Sequence, residues 1–289
     1  MTQHTGSNTE PVCFRHSDRV SYVKCTRCDR PICPDCMISA SVGFQCPECV
    51  GAAVKSAPSI TSPFRGSSTE VPYVTYTLLA LNVLVFLWQL SIGIDESASH
   101  WGMRPDVIAT DNSYWLLITG TFLHGTIMHL VFNMMVLFFI GPTLERTINH
   151  WGFIAVYLLS ALGGEVMSFV FSSFGDVSIG ASGAIFGLMG ALVIAGRRHG
   201  LNITQVAVLI GINMVFSFAQ PGVDWKAHIG GLVTGALVAA ILVYAPRGNR
   251  LVWQLAGLAA VFVLLAVITG IESAHLQDDL SHFHTIITL

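Results

Sequence analysis

Long apolar runs separated by short polar joints fill the chain from about residue 73 to residue 271, while the first 70 or so residues contain no run long enough to cross a bilayer. A membrane helix needs about 20 largely uncharged apolar residues. Seven stretches approach that length, at 73–94, 114–140, 151–174, 177–195, 201–219, 225–244 and 251–271. The pattern therefore predicts seven spans, the third and fourth forming an antiparallel pair because the joint between them is so short. Composition points the same way: 53% of the 289 residues are hydrophobic and 11% are charged, outside the range of soluble domains. The expected fold class is an all-α polytopic membrane protein with a small soluble N-terminal domain. A net charge of −3 is too slight to imply nucleic acid or a strongly acidic partner.

Basic residues set the expected orientation. Twelve of the fourteen Lys and Arg lie before the first span or in alternate joints, around Arg146, Arg197, Arg198, Arg247 and Arg250, and only Arg104 and Lys226 lie on the other side. By the positive-inside rule the N-terminus is expected in the cytoplasm and the C-terminus outside, in a multi-pass protein of the cell (plasma) membrane. The stretch from Met1 to Glu10 has no apolar run and no small-residue cleavage site, so no secretory signal is expected. The longest external joint, 95–113, mixes Trp101, Met103, Pro105 and Val107 with polar residues, as a segment lying in the membrane interface would.

All seven cysteines belong to the head, residues 1–50, in four knuckles: Cys13-x₂-His16, Cys25-x₂-Cys28, Cys33-x₂-Cys36 and Cys46-x₂-Cys49. Each knuckle aims two side chains at one point, and eight ligands make two tetrahedral sites of the kind zinc takes. A disulfide framework is the alternative. It fits less well with an odd number of cysteines in a reducing compartment. The order and spacing resemble B-box-type zinc fingers, which implies a cross-braced arrangement: Cys13, His16, Cys33 and Cys36 at one structural zinc, and Cys25, Cys28, Cys46 and Cys49 at the other. Sequential pairing is the competing arrangement. The last knuckle departs from the usual B-box, where histidines are common. A head this small has too little core to fold without metal, and it reads as a module for a cytoplasmic protein partner or for regulation, not for nucleic acid. Residues 51–72, rich in Pro, Gly, Ser and Thr, read as a flexible linker.

Polar residues inside spans mark function by default. His124, His129 and Asn133 fall in the second predicted span, Glu165 in the third, Ser182 in the fourth and His228 in the sixth. With the N-terminus inside, Ser182 and His228 start their helices at similar outer depth. Glycines 180, 183, 187 and 190 beside Ser182, and 231 and 235 after His228, form small-residue stripes that let two backbones approach, as an Oγ–Nε2 hydrogen bond requires. His129 and Asn133, four apart, share a helix face and are neutral donors suited to an oxyanion, although such a pair also occurs as packing or as a transporter ligand. No acidic residue is well placed to orient His228, so the expectation is a Ser–His dyad. Phe186, one turn after Ser182, either stacks on the His228 ring or simply fills space.

Gly180-Ala181-Ser182-Gly183, Phe122-Leu123-His124-Gly125 followed by His129-x₃-Asn133, Gly141-x₃-Glu145, and Ala227-His228-Ile229-Gly230-Gly231-x₃-Gly235 together resemble the rhomboid family of intramembrane serine proteases, over residues 73–245 and in the family's order. The resemblance implies a six-helix core at 73–245 followed by an extra helix and external tail at 246–289. It further implies Ser182 as nucleophile, His228 as general base, and His129, Asn133 and the Ser182 backbone amide as the oxyanion hole, with no cofactor for the chemistry. Family substrates are transmembrane segments of other proteins, cut near their outer ends. Where bacterial members often carry Trp-Arg, this chain has Trp115-Leu116, which bears on how the first external loop is anchored. Glu145 and Glu165 read as structural acceptors. His275, His282 and His284 fall in a tail expected to be unstructured. A catalytically silent relative that binds membrane clients is the rival reading, and a transporter is a more distant one, lacking evident inverted repeats.

Overall fold

A computed structural model describes residues 10–56, 71–198, 200 and 202–287, the side chains of 55, 56 and 282–287 excepted. The chain divides into two compact units, Met1–Ile60 and Thr61–Leu289.

The first unit has little regular structure. A 3₁₀ turn at Pro34–Cys36 leads into an antiparallel pair, β1 (Ile38–Ser39) and β2 (Phe44–Gln45), and then helix α1 (Pro47–Ser56). Its buried core is Ile32 with Cys13, Cys25, Cys33, Cys36 and Cys46. A core made mostly of thiols offers little apolar burial. Residues 51–56, read from sequence as linker, instead continue α1: Pro47 opens the helix in the position where its missing N–H costs nothing, and Ala52 and Ala53 favour its continuation. The remainder of the expected linker, 57–70, lies outside the described residues.

The second unit is helical. Its elements are α2 (Tyr73–Ile92), α3 (Ile94–Trp101), α4 (Pro105–Asp111), α5 (Leu116–Thr119), a 3₁₀ turn (Gly120–Phe122), α6 (Ile127–Phe171), α7 (Ser182–Arg198), α8 (Thr204–Ala219), α9 (Trp225–Tyr244) and α10 (Arg250–Ile287). Among the described residues, α2, α6, α9 and α10 are long and apolar enough to cross a membrane. Helix α6 is broken at Asn149, which has φ 61° and ψ 174°, so its two halves take the places of the second and third predicted spans. The shorter α7 and α8 take those of the fourth and fifth. Helix α7, buried without interruption from Gly183 to Leu192, forms the packed centre with α9 and the second half of α6. A helix apolar on every side belongs in such a position.

Four boundaries differ from the hydropathy pattern. Residues 114–126 form short helical turns before the second span, so His124 precedes α6 instead of lying within it. The third span stops at Phe171, and the fourth begins only at Ser182. Residues 177–181 are uncharged but held extended by backbone pairing, as described below. The tail is not irregular: α10 runs to Ile287, about 57 Å at 1.5 Å per residue, well beyond a hydrocarbon layer of about 30 Å. No Pro interrupts it, and its C-terminal part docks on the loop helices. Gln277 Nε2 donates to the Ala109 carbonyl at 2.7 Å, and the Tyr114 hydroxyl donates to Ser273 Oγ at 3.1 Å. His275 lies on this helix, and the side chains of His282 and His284 lie outside the described residues.

Candidate active site

Extended backbone delivers Ser182. Met103 and Ser178 exchange both main-chain hydrogen bonds, at 3.0 and 2.9 Å, and Gly180 N donates to Gly120 O at 2.9 Å. Gly180 then turns the chain with φ +133°, a conformation other residues rarely adopt. Ser182 is the first residue of α7, and its backbone N–H is one of the first-turn amides that have no acceptor within the helix.

On α9, Asp224 caps the N-terminus, accepting from Ala227 N at 3.1 Å and from Ser168 Oγ at 2.5 Å. His228 follows one turn later and is 6% exposed. The glycine stripes bring α7 and α9 into backbone contact: a Cβ on Gly231 would lie 1.9 Å from Gly183 O, and one on Gly235 would lie 2.1 Å from Gly187 O. At that separation His228 Nε2 is 2.7 Å from Ser182 Oγ. The Phe186 ring stacks on the imidazole with centroids 4.3 Å apart and planes 14° from parallel. The other ring nitrogen, Nδ1, is 2.6 Å from Ser217 Oγ on α8.

His129 and Asn133 lie in the first turns of α6, which Thr126 caps by accepting from His129 N at 3.1 Å. A Cβ on Gly180 would lie 2.8 Å from His129 Nε2 and 3.7 Å from Ser182 Oγ. The imidazole and the hydroxyl therefore flank the same small space, which the absence of a side chain at residue 180 keeps open. Asn133 is buried and donates one Nδ2 hydrogen to His129 O at 3.0 Å, leaving its second N–H. The His124 ring meets His129 edge-on at 5.1 Å, and the His124 backbone N donates to Gln89 Oε1 at 2.8 Å. A hydroxyl bonded to an imidazole is the arrangement of an activated nucleophile, and neutral donors beside it are the kind that stabilise an oxyanion.

The Rhomboid domain profile matches residues 111–245, a span that contains all four of these side chains. The chain is 37% identical over 179 residues to rhomboid protease GluP of Bacillus subtilis, covering 59% of this chain and 35% of GluP. It is 26% identical over 226 residues to rhomboid protease AarA of Providencia stuartii, covering 66% and 80%. With the protein named putative rhomboid protease YdcA of Bacillus subtilis it shares 32% identity over 141 residues, or 46% of this chain and 69% of YdcA. The chain belongs to the rhomboid family. It spans about a third of the length of GluP.

In this rhomboid the head gathers its cysteines and His16 into two quartets that could each hold a metal ion, Cys13, His16, Cys33 and Cys36, and Cys25, Cys28, Cys46 and Cys49, with the donor atoms of each within 4.8 Å of one another. This is the cross-braced grouping, which knuckle spacing alone left open. His16 turns Nδ1 toward the sulfurs of Cys13, Cys33 and Cys36, at 3.8, 3.3 and 3.5 Å. Burial alone would raise the Cys13 thiol, but the backbone N–H groups of Cys33 and Arg15, with His16, outweigh it and bring it down to about 6. Cys25 is likewise brought to about 6 against burial, by the amides of Cys46, Arg27 and Cys28. Burial and the neighbouring Cys13 and Cys33 push Cys36 up to about 11, and Cys46 with burial pushes Cys49 up to about 12. Each quartet thus gathers sulfur donors that resist ionising together, and a divalent cation would favour the thiolate form of all of them. Donor type, number and closeness all fit a tetrahedral thiophilic metal.

Glu145, fully buried, accepts from Val74 N at 2.9 Å, Thr75 N at 2.8 Å and Thr75 Oγ1 at 2.6 Å. It thereby satisfies the first amides of α2, whose own cap residue is Pro72. Glu165 is buried on α6 beside Ser178 and near Asp224. Leu116, where an arginine is common in the family, is buried. Trp115 packs edge-on against Trp101 at 5.3 Å, and Trp101 against Trp88 at 5.9 Å. Aromatic packing and the Met103–Ser178 pairing anchor the loop without that arginine. The contact that hydropathy and motif did not flag is Ser217. Its one sequence signal is the polar pair Asn213 and Ser217, four apart in an otherwise apolar span.

Proposed function

We propose that this chain is an intramembrane serine endopeptidase that cuts transmembrane segments of other membrane proteins, or the residues next to them. One observation carries the reading: His228 Nε2 stands 2.7 Å from Ser182 Oγ within a stretch that matches the rhomboid profile. Ser182 Oγ attacks the scissile carbonyl while its proton passes to His228 Nε2. The resulting oxyanion faces the Ser182 amide, His129 and Asn133, and preorganised donors of this type contribute about 3–4 kcal/mol each. On collapse, His228 gives its proton to the departing amine and the peptide bond breaks, leaving an acyl ester on Ser182. Water, deprotonated by His228, then hydrolyses the ester and restores the hydroxyl. No metal takes part in these steps.

The site is assigned to the outer half of the plasma membrane, with the N-terminus cytoplasmic and the C-terminus external, on the strength of the basic-residue asymmetry. The two head quartets are assigned to zinc. As ions ligated wholly by protein they would be structural, holding a module that engages a cytoplasmic protein partner. Nucleic acid is not among the expected partners.

The test is cleavage of a panel of single-span substrates by purified protein in liposomes. Wild type should cut at least one of them, and Ser182→Ala and His228→Ala should cut none. Cleavage that persists in both variants would overturn the dyad. Metal analysis of the full chain should find two zinc ions per molecule, and one or none would reject the two-site head.

A further inference from the structure

Ser217 is the one buried residue of α8, at 2% exposure. One face of the helix turns Val208, Ile212, Val215, Phe216 and Phe218 outward. Val206, Leu209, Ile210 and Met214, half-buried, pack against the core, and the Ser217 side chain makes two short contacts. Its hydroxyl donates to the Asn213 carbonyl at 2.6 Å, and its Oγ lies 2.6 Å from His228 Nδ1. A hydroxyl has one proton to give. With that proton committed to Asn213 O, the oxygen can only accept from His228, so Nδ1 carries a hydrogen. The neutral imidazole then has its lone pair on Nε2, the nitrogen 2.7 Å from Ser182 Oγ. Which nitrogen of a catalytic histidine is free is set by what the other one bonds to.

We propose that Ser217 is a positioning residue. It fixes His228 in the tautomer whose Nε2 accepts the Ser182 proton, and it makes that state depend on α8 being docked against α9. The inference rests on the Ser182–His228 dyad of the proposed function. Phe186 holds the ring plane from one face but cannot choose between nitrogens, since stacking is blind to the position of the proton. Ser217 supplies that choice from α8, of which it is the one fully buried residue. When the Oγ acceptor moves away, the buried Nδ1–H loses its partner and the alternative tautomer, with the proton on Nε2 facing Ser182, becomes competitive. The proton transfer of the first step is then blocked in that fraction of molecules.

The experiment compares wild type with Ser217→Ala, Ser217→Thr and Ser182→Ala in liposomes, measuring kcat and KM on a single-span substrate and the rate of covalent labelling by a fluorophosphonate. Removing one neutral hydrogen bond to the ring should lower kcat and the labelling rate of Ser217→Ala about tenfold, with KM within about twofold of wild type. Ser217→Thr, which keeps the hydroxyl, should recover most of the rate. Equal kcat in Ser217→Ala and wild type, or a loss expressed in KM alone, overturns the proposal while leaving the dyad intact. Activity retained by Ser182→Ala overturns the dyad, and the proposal with it. Nitrogen-15 NMR of His228 in the wild-type protein provides a check that needs no substitution at residue 217. The proposal requires the Nδ1-protonated form, and an Nε2-protonated ring refutes it.

Discussion

Replacing Gly231 with alanine tests the link between helix packing and chemistry. The new Cβ would sit 1.9 Å from Gly183 O and 3.0 Å from Gly183 Cα, and neither backbone atom can swing aside. To restore ordinary van der Waals contact, α9 must retreat from α7 by about 1.5 Å, and overpacking of this kind costs about 1–3 kcal/mol. Because His228 lies three residues from Gly231 and Ser182 is adjacent to Gly183, most of that retreat passes into the 2.7 Å Nε2–Oγ contact. The contact lengthens to about 4 Å, beyond hydrogen-bonding range. General-base assistance is worth about 10²–10⁴-fold in rate. Gly231→Ala should therefore lose at least about a hundredfold in fluorophosphonate labelling of Ser182, together with a modest fall in thermal midpoint. Gly270→Ala is the control: its Cβ would meet nothing within 4 Å, and it should label at the wild-type rate. Unchanged labelling in Gly231→Ala would refute the argument that the glycine stripe sets the dyad distance.

Other expectations follow from single contacts. Glu145→Gln replaces a carboxylate that accepts from Val74 N, Thr75 N and Thr75 Oγ1 and also meets His150 Nδ1 with an amide that presents donors to at least one of the same groups, and should destabilise the protein by about 3 kcal/mol, read as a lower unfolding midpoint. A midpoint equal to wild type would show that α2 does not need this cap. Phe186→Ala removes the stack on His228, worth about 0.5–1.5 kcal/mol beyond its buried area, and should slow labelling about three- to tenfold, whereas Phe186→Tyr should restore it. Equal rates in Phe186→Ala and wild type would leave the ring as filler. Chelation of zinc from the full chain should abolish hydrogen-exchange protection in residues 10–56 and leave α7 and α9 protected, since the head's core is largely its ligands. Protection retained by the head would mean that it folds without metal.

Much of the central geometry was legible in sequence because it rests on spacing. Glycines at three- and four-residue steps predict a close pair of helices whatever the loops do, and Gly183 against Gly231 and Gly187 against Gly235 realise it. The four knuckles of the head were legible for the same reason, since a two-residue knuckle is local, whereas their grouping into quartets depends on how the chain folds back. Hydropathy failed where apolar composition and helical conformation part company. Residues 177–181 are apolar yet extended, because Ser178 pairs with Met103 and Gly180 adopts a positive φ. His124 precedes its helix because α6 starts only at the Thr126 cap. Ser217 carries only the weak signal of its polar pairing with Asn213, because its value depends on α8 ending beside the start of α9, a tertiary fact. The C-terminal part of α10 looks like a tail because its polar residues lack a run of apolar neighbours, yet two of them, Ser273 and Gln277, are the ones that dock it.

The central claim is that Ser182 is a nucleophile activated by His228. Its most direct test is to treat the protein in liposomes with a fluorophosphonate and locate the adduct by peptide mass spectrometry. The account predicts a single phosphonylated site, Ser182, formed in the wild-type protein and absent when His228 is replaced by alanine. An adduct on any other residue, or one that forms on Ser182 just as fast without His228, would contradict it.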